Sequence, residues 1–383
     1  MDKVITSNTS RAEVSAYTEI QGSLQVSPSR YLNKSGVLKE SGQYVKSFGT
    51  RTLISGGIRA LQALEDKLTH SLQQHAVSYE AHTFVGECCE ENIKLIARKS
   101  REYKADVLIG VGGGKALDAA KAAANKCALP IICIPTIAST CSAASPASVL
   151  YDSKGGFLKS LYFPNTPELV LVEPSVIAKA PVDYFTSGIL DALSKWYELK
   201  PIFSTIECPD LSTRSAMELS RLLKDVVHEK GASAVEAVHC GVTNAALVEI
   251  IDVNIFLTAL IKCLSLFTLT IGLAHAIHNG LSFLKQTHDK AHGIKVGYGI
   301  AVQICVEGAS EKEILHVFRL FRQIGFNPSL KTLGISVTTQ NKEKIVANCI
   351  DDIGVKSMPI PISEEMILNG IDRVEDFAYQ DIL

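Results

Sequence analysis

Short apolar runs alternate with helix-like patterns in the first half of the chain. Five runs have the character of buried strands, and they lie at residues 52–55, 77–84, 106–111, 130–134 and 169–172. Helical periodicity fills the intervals between them, for example at residues 90–102 and 115–126. This alternation predicts a parallel, Rossmann-like sheet with helices on both of its faces.

After about residue 180 the strand pattern fades. Helical runs follow at residues 182–198, 211–229, 245–266, 273–285, 312–325 and 364–379. The pattern therefore predicts an α/β domain over residues 1–180 and an all-α domain over residues 181–383. A chain of 383 residues exceeds the usual size of one hydrophobic core, which agrees with two domains. In such a pair the ligand usually lies in the cleft, beside the carboxyl ends of the strands.

Composition and charge narrow the classes of function. The net charge of −2 offers no broad basic field to nucleic acid or to an anionic membrane. Residues 255–274 are strongly apolar, but Lys262 lies among them, so a buried core helix is predicted rather than a membrane span. The first 24 residues lack the pattern of a secretory signal, and the ten scattered cysteines suit a reducing cytoplasm.

A glycine-rich turn joins one predicted strand to the helix after it. Gly112, Gly113 and Gly114 are followed by Lys115 and a helical run. Glycines let the backbone approach a ligand closely, and a helix N-terminus offers free N–H groups to phosphate. The spacing matches neither the G-x-G-x-x-G fingerprint nor a P-loop. The turn therefore indicates a pyrophosphate site, with a tight turn that binds nothing as the alternative.

An aspartate and three histidines stand in apolar surroundings in the second half of the chain. Asp191 lies within a predicted helix, where a carboxylate is costly to bury unless it is paired or metal-bound. His275 and His278 are one helical turn apart, and His292 begins a later segment. One aspartate and two histidines make a plausible divalent site with an open position for substrate. Hydrogen-bonded core histidines remain the alternative.

Five motifs, in this order and spacing, resemble the glycerol dehydrogenases of the iron-type alcohol dehydrogenase superfamily over roughly residues 50–380. They are GGGKALDAAK at residues 112–121, PTIAST at 135–140, GILDAL at 188–193, AHAIHNG at 274–280 and HGIKVGYG at 292–299. The resemblance implies the dehydroquinate synthase-like fold of that superfamily. It also implies a small-molecule substrate and a homo-oligomer.

The resemblance further implies NADP or NAD as cofactor and a metal held by Asp191, His275 and His292, zinc being expected and iron the alternative. His278 becomes a candidate for supporting these ligands or relaying a proton. The cofactor contacts predicted in this way are Gly57, Gly113, Gly114, Lys115, Asp118, Thr136, Ser139, Ser145, Val149 and Tyr151.

Cys141 departs from the glycerol dehydrogenase pattern, which has an aspartate at this position directly after the Ser-Thr pair. The tract around it is more similar to the hydroxycarboxylate dehydrogenases, which reduce 2-oxo acids. A carboxylate about 5 Å from a substrate carboxylate would repel it by roughly 3 kcal/mol at an effective dielectric near 20. Cys141 is therefore placed in the catalytic set, and a 2-hydroxy acid/2-oxo acid pair is the predicted substrate. No arginine is evident to bind the acid, and Lys159 and Lys195 are weak candidates.

The cofactor and the function each keep an alternative. Residues 55–59 contain no acid to repel a 2′-phosphate, and Arg59 would attract one, so NADPH or dual use is expected. Glycerol oxidation to dihydroxyacetone is the alternative reaction. A nucleotide-binding relative without catalysis is the alternative of another class, because Cys141 and residues 264–271 both depart from the family pattern.

Overall fold

A computed structural model describes residues 5–6, 24–153, 155–265 and 271–380, apart from the side chain of Glu65. The described residues form nine strands. They are β1 Ile5–Thr6, β2 Tyr31–Asn33, β3 Arg51–Gly57, β4 Ser78–Phe84, β5 Val107–Gly112, β6 Ile131–Pro135, β7 Ala147–Tyr151, β8 Phe157–Tyr162 and β9 Leu169–Val172.

Six of these strands form one parallel sheet in the order β2-β9-β6-β5-β3-β4. All five predicted strands belong to it, so the predicted parallel sheet is confirmed. Two features escaped prediction. β2 is a three-residue, half-buried edge strand, and β7 and β8 pair as an antiparallel hairpin beside β1. β2 has only three residues, and the sequences ASVLY of β7 and FLKSLY of β8 show neither an unbroken aliphatic run nor a strict alternation of apolar and polar residues.

The order in which successive strands are added to the sheet reverses between β3 and β5, while all six strands stay parallel. The chain passes from β3 to β4 on one side and returns to β5 on the other side of β3. The carboxyl ends of β3 and β5 therefore diverge into connections on opposite sides and leave a crevice between them. Ligands of open α/β sheets bind at such a reversal. This crevice contains the glycine-rich turn after β5.

Fifteen α-helices lie within the described residues. They are α1 Ser41–Lys46, α2 Ile58–Gln74, α3 Glu90–Glu102, α4 Gly114–Cys127, α5 Pro174–Ile177, α6 Val182–Phe203, α7 Leu211–His239, α8 Ala245–Asp252, α9 Thr258–Leu264, α10 Leu273–Ser282, α11 His292–Val306, α12 Glu311–Gln323, α13 Thr339–Ala347, α14 Ile353–Lys356 and α15 Glu364–Ala378. After β9, the described residues form helices and connections only, which confirms the helical second part. The boundary near residue 180 stays a prediction.

The two parts share a continuous core. Alternate residues of the sheet point to opposite faces: Leu108 and Val170 join a cluster that runs on into the helical part, whereas Ile109 and Leu171 join a second cluster, to which α2 contributes, on the other face. The central strands are buried on both faces for this reason, which matches their unbroken apolar runs.

The helix predicted over 245–266 is confirmed as far as Leu264: α8 continues through a π-helical turn at Val253–Leu257 into α9, which ends at Leu264. The single apolar helix predicted over residues 255–274 is wrong in extent. Residues 266–270 lie outside the described part, and α10 begins after Gly272. Tertiary contacts accompany the π-helical turn and the start of α10, because the Asn254 side chain donates to Ala138 O at 3.0 Å and Gly272 N donates to Glu198 Oε1 at 2.8 Å. No described helix is both long and apolar enough to cross a membrane.

A fully buried lysine holds the loop between β6 and β7 against α4. Lys121 Nζ donates to the carbonyl oxygens of Ser142 at 2.7 Å and Ser145 at 3.1 Å, and also to that of Ala147. It lies 3.0 Å from Asp118 Oδ1. These contacts balance the charge and satisfy the ammonium group, as burial of an ion requires.

Lys121→Met should destabilise the protein by about 3–5 kcal/mol, because it leaves the buried Asp118 carboxylate without its counter-charge. The free energy of unfolding in urea measures this loss. Lys126→Met is the matched control on the same helix: its side chain is 44% exposed and pairs with Glu90 at 3.2 Å, so we expect a loss below about 1 kcal/mol. Equal losses in both variants would contradict the assignment.

Candidate metal and cofactor site

The three predicted metal ligands meet where α6, α10 and α11 converge. Their ligand atoms all lie within 4.8 Å of one another. Asp191 Oδ1 lies 3.8 Å from His275 Nε2 and 3.5 Å from His292 Nε2. Ligands on one tetrahedral zinc ion, at bond lengths of about 2.0–2.1 Å, stand about 3.3 Å apart. The cluster is therefore close to the geometry that a divalent cation requires.

Glycines let these helices approach closely enough to bring the ligands together. A Cβ atom on Gly293 would lie 1.8 Å from Ser187 O, and one on Gly188 would lie 1.9 Å from Ala138 O. Gly293 N also donates to Ser187 Oγ at 2.9 Å. Backbone contact between α11 and α6 thus places His292 beside Asp191, and backbone contact between α6 and the loop after β6 brings that loop to the same point.

Asp191 is a buried carboxylate whose negative charge is balanced by neighbouring groups. Burial opposes its charged form, but the Lys195 ammonium and the neighbouring His292 and His275 outweigh burial, and together they lower the pKa of Asp191 well below its ordinary range. Lys195 Nζ lies 3.7 Å from Asp191 Oδ1 and donates to Ser194 Oγ at 2.8 Å. The carboxylate is therefore held ionised, as a metal ligand must be.

Glu198 completes the support of His275, and the sequence analysis did not identify it. His275 Nδ1 donates to Glu198 Oε2 at 2.7 Å, while Glu198 Oε1 accepts from the backbone N–H groups of Gly272 at 2.8 Å and His275 at 3.0 Å. The Glu198 side chain is completely buried. A carboxylate at the far nitrogen of a histidine fixes the tautomer and the ring orientation of a metal ligand. The signal was available, since Glu198 follows Asp191 by two helical turns.

His278 stands behind His292. The Nε2 atom of His278 lies 3.0 Å from His292 Nδ1, and its Nδ1 atom lies 2.9 Å from Asn279 Oδ1. The Asn279 side chain in turn donates through Nδ2 to Asp352 Oδ2 at 2.8 Å. Since the amide oxygen of Asn279 can only accept, His278 donates to it through Nδ1 and accepts from His292 at Nε2. This chain of hydrogen bonds leaves His292 Nε2 unprotonated toward Asp191. The contacts suit a positioning residue, and the catalytic role of His278 stays a prediction.

The predicted cofactor turn lies in the crevice between β3 and β5. Gly112 ends β5 with φ +135°, a conformation that favours glycine, and a Cβ atom on it would lie 3.9 Å from Gly57 N at the end of β3. A Cβ atom on Gly113 would lie 2.7 Å from Ile137 Cδ1, and one on Gly114 3.5 Å from Thr140 Oγ1. The glycine turn and the hydroxyl-rich loop therefore face each other.

The other predicted cofactor residues surround this turn. Thr136 donates its N–H to Gly112 O at 3.1 Å, and Ser139 lies half-buried further along the loop. Lys115 is exposed on the first turn of α4, and its ammonium group lies 2.6 Å from Glu87 Oε1. Tyr151 is half-buried at the end of β7, edge-on to Phe157.

Asp118, Ser145 and Val149 use their polar atoms within the protein. Asp118 accepts from Ser142 Oγ at 2.6 Å and from Val149 N at 3.0 Å, and Ser145 O accepts from Lys121. These contacts fix the shape of the loop. Direct contact of the three residues with a cofactor stays a prediction.

Lys295 adds a cation that the sequence analysis also left out. It follows His292 by one helical turn on α11 and donates to Ser282 Oγ at 2.8 Å. Burial, together with the charge of Lys115, lowers the pKa of Lys295 to about 8.

Glu198→Gln should lower zinc affinity about 10- to 100-fold, because the amide orients His275 less firmly than the carboxylate does. Zinc affinity is measured by competition with a chromophoric chelator, and circular dichroism checks that the fold is kept. Glu218→Gln, on the exposed face of α7, is the control and should bind zinc as the unmodified protein does. Unchanged zinc affinity in Glu198→Gln would refute this role.

The metal-free protein should lose stability as pH falls from about 7 to about 5. Burial, with the charges of His292 and Lys295, lowers the pKa of His278 well below the ordinary 6.5, and burial also lowers the pKa of His292. Below pH 6.5 the unfolded chain therefore binds protons that the folded chain does not, and the free energy of unfolding decreases.

Urea denaturation across this pH range measures the slope. His278→Asn should flatten it, whereas His288→Asn, at an exposed position, should not. A slope that is the same in all three proteins would show that His278 does not produce it.

Comparisons with known proteins identify the family of this chain. The sequence model described as iron-containing alcohol dehydrogenase matches residues 28–174. A glycerol dehydrogenase of Citrobacter freundii is 31% identical, over 89% of this chain and 94% of its own. Hydroxycarboxylate dehydrogenase A of Escherichia coli strain K12 is 29% identical, over 92% of this chain and 97% of its own.

The crystal structure of glycerol dehydrogenase from Schizosaccharomyces pombe superposes with a TM-score of 0.83 at 27% identity, covering 92% of this chain and 90% of that one. Similarity of sequence and of fold thus extends over both the sheet and the helical part. The chain therefore belongs to the iron-containing alcohol dehydrogenase family, and it is an NAD(P)-dependent oxidoreductase that interconverts alcohols and carbonyl compounds.

Proposed function

We propose that the substrate pair is a small 2-hydroxy acid and its 2-oxo acid, with zinc as the metal and with NADPH preferred or both nicotinamide cofactors used. The observation that carries this proposal is Cys141. It is 4% exposed and lies in the loop after β6. Ala138 O, in the same loop, packs against Gly188 of α6, which is three residues before Asp191. The resemblance leads us to expect an aspartate at this position.

The donor set fits zinc. Asp191 offers an oxygen, and His275 and His292 offer Nε2 atoms whose far ring nitrogens are engaged by Glu198 and His278. Three protein ligands with a fourth position open are typical of catalytic zinc. When bound, the cation would polarise the substrate oxygen as a Lewis acid, and the nicotinamide would exchange the hydride.

The residues of the crevice would bind the cofactor's pyrophosphate. The turn at Gly112–Lys115 opens α4, whose N-terminal N–H groups and partial positive charge favour phosphate. Lys115 and Lys295 bring further positive charge. The hydrogen bonds of Asp118 and Lys121 hold the facing loop in place. Binding of the cofactor therefore costs little conformational entropy in this loop.

Two features favour an anionic substrate and a phosphorylated cofactor. A thiol at position 141 removes the repulsion that an aspartate would exert on a substrate carboxylate. At the end of β3, Gly57 leads into α2 with exposed Arg59 on its first turn, and no acid stands among residues 55–59. A 2′-phosphate therefore meets attraction rather than repulsion there.

Glycerol oxidation to dihydroxyacetone is the second candidate. It is favoured by the names of the relatives: the protein of Citrobacter freundii and the structure from Schizosaccharomyces pombe are both glycerol dehydrogenases. The relative named hydroxycarboxylate dehydrogenase A aligns over a similar share of the chain.

We also propose a cytoplasmic homo-oligomer. All ten cysteines have free thiols, which suits a reducing compartment. The homo-oligomer rests on the resemblance, and sedimentation velocity of the purified protein tests it.

The test is oxidation of NADPH and NADH by the zinc-loaded protein with a panel of 2-oxo acids and with dihydroxyacetone. We expect fast NADPH oxidation with 2-oxo acids, loss of turnover on chelation, and recovery on addition of zinc. His275→Ala should lose turnover by at least about 1,000-fold, since it removes one of three ligands.

Two other outcomes would decide against the proposal. Activity confined to NADH and dihydroxyacetone would establish the glycerol reaction. Nucleotide binding without turnover of any carbonyl compound would indicate a relative that has lost catalysis.

A further inference from the structure

Helix α10, which carries His275, begins at Gly272, an N-cap residue with no side chain to accept a hydrogen bond. The first N–H groups of a helix have no acceptor within the helix, and a buried N–H is costly to leave unpaired. Glu198 of α6 accepts instead through Oε1, from Gly272 N at 2.8 Å and from His275 N at 3.0 Å. Gln303 of α11 accepts through its Oε1 from Ala274 N at 2.9 Å. The cap of α10 is thus supplied by two other helices.

The glycine at the N-cap leaves the space that these two side chains fill. A Cβ atom on Gly272 would lie 3.1 Å from Glu198 Cγ and 3.5 Å from Gln303 Oε1. A serine or aspartate, the usual local cap, would therefore crowd Glu198. A Cβ atom on Gly354 would in turn lie 2.2 Å from Gly272 O, so α14 packs against the same point of the backbone. The start of α10 is therefore set by contacts with other helices.

Gln303 is completely buried and uses both ends of its side-chain amide. The oxygen accepts from α10, as described above. The nitrogen donates to Tyr197 O on α6 at 2.7 Å and to Glu307 Oε1, one turn further along α11, at 2.8 Å. An amide nitrogen carries two donor hydrogens, and both are used here. One side chain therefore bonds to α6, α10 and α11 together.

Pro201 explains why a helix carbonyl is available to Gln303. The carbonyl of Tyr197 would ordinarily accept from the N–H group of residue 201, four positions further along α6, but Pro201 has no N–H group. Gln303 Nε2 donates to this carbonyl instead. The proline thus replaces an internal bond of α6 by a bond to α11, one residue before Glu198.

The helices joined by this amide are the three that carry the predicted metal ligands. Asp191 lies on α6, His275 on α10 and His292 on α11. Gln303 follows His292 by eleven residues, which is about three turns at 3.6 residues per turn, so both lie on one face of α11. The face of α11 that presents a ligand therefore also carries the group that ties α11 to the other two helices.

The two backbone groups bound by Gln303 adjoin the support of His275. Ala274 directly precedes His275, and Tyr197 directly precedes Glu198. Glu198 fixes the ring of His275, whereas Gln303 fixes the spacing of the two backbones from which that ring and its carboxylate partner extend. Without the amide, a buried N–H group on α10 and a buried carbonyl on α6 would lose their partner, and the two helices would shift apart.

We propose that Gln303 is a positioning residue of the metal centre, and that its side-chain amide sets the spacing of the three helices that carry the ligands. It acts through the backbone, whereas Glu198 and His278 act on the ligand rings. This inference rests on the metal site of the proposed function, and it holds for a 2-oxo acid and for a polyol alike.

The test compares Gln303→Met with Tyr298→Phe, a matched control on the same helix. Methionine has about the length of glutamine but lacks the amide donors and acceptor. Tyr298 is completely buried and donates to Glu375 Oε1 at 3.0 Å on α15, a helix that carries no predicted ligand. Each variant thus removes a buried hydrogen-bonding group from α11, and only Gln303→Met cuts the link between the ligand helices.

Three measurements are made on each protein. Zinc affinity is measured by competition with a chromophoric chelator. The visible absorption of the cobalt(II)-substituted protein reports the coordination geometry, because the d–d bands of cobalt depend on it. The free energy of unfolding of the metal-free protein in urea reports the stability of the fold, independently of the metal.

Gln303→Met should lower zinc affinity about 10-fold, as removal of a group that orients metal ligands does, and should change the cobalt spectrum. Tyr298→Phe should leave both metal readouts unchanged, although both variants should lower the free energy of unfolding. Gln303→Asn keeps the amide but is too short to reach all three partners. It should shift both metal readouts in the same direction by a smaller amount, so the test survives a methionine variant that fails to fold.

The outcomes separate this inference from the proposed function. If Gln303→Met loses stability but keeps its zinc affinity and cobalt spectrum, or if Tyr298→Phe loses as much zinc affinity, the positioning role is refuted and the function stands. If the unmodified protein binds neither zinc nor cobalt, the metal centre fails and the role of Gln303 with it. If it binds zinc and reduces only dihydroxyacetone, the 2-oxo acid proposal fails and the role of Gln303 is still decided by the metal readouts.

Discussion

The burial of the Asp191 carboxylate is the constraint on which the site depends. An isolated carboxylate in this position would take up a proton rather than remain charged. Lys195 on the same helix and two histidines from α10 and α11 keep it ionised, and Glu198 fixes one of those histidines from behind. Asp191, Lys195 and Glu198 are themselves buried, and each needs its partner. The cluster is therefore a connected network in which the loss of one member leaves an uncompensated charge.

Close helix packing brings this network to the edge of the sheet. Gly188 and Gly293 allow backbone contact on both sides of α6, which a side chain would prevent. The same contacts set the loop after β6 between the metal cluster and the glycine turn after β5. A cofactor on the turn and a substrate at the cluster would thus meet across one loop. Lys121 holds this loop from the sheet side, so its structural role and the chemistry of the cleft depend on each other.

The sequence by itself determined the parallel sheet, the glycine turn and the three predicted ligands, because each rests on local periodicity or on motifs of nearly fixed spacing. Only the tertiary structure revealed Glu198 behind His275, and only it gave His278 its partner His292. It also showed that the apolar run at residues 255–274 is not one helix, since α9 ends at Leu264 and Gly272 bonds to Glu198, far along the chain. Buried polar groups must find partners wherever the fold supplies them, and no local pattern encodes which distant residue that will be.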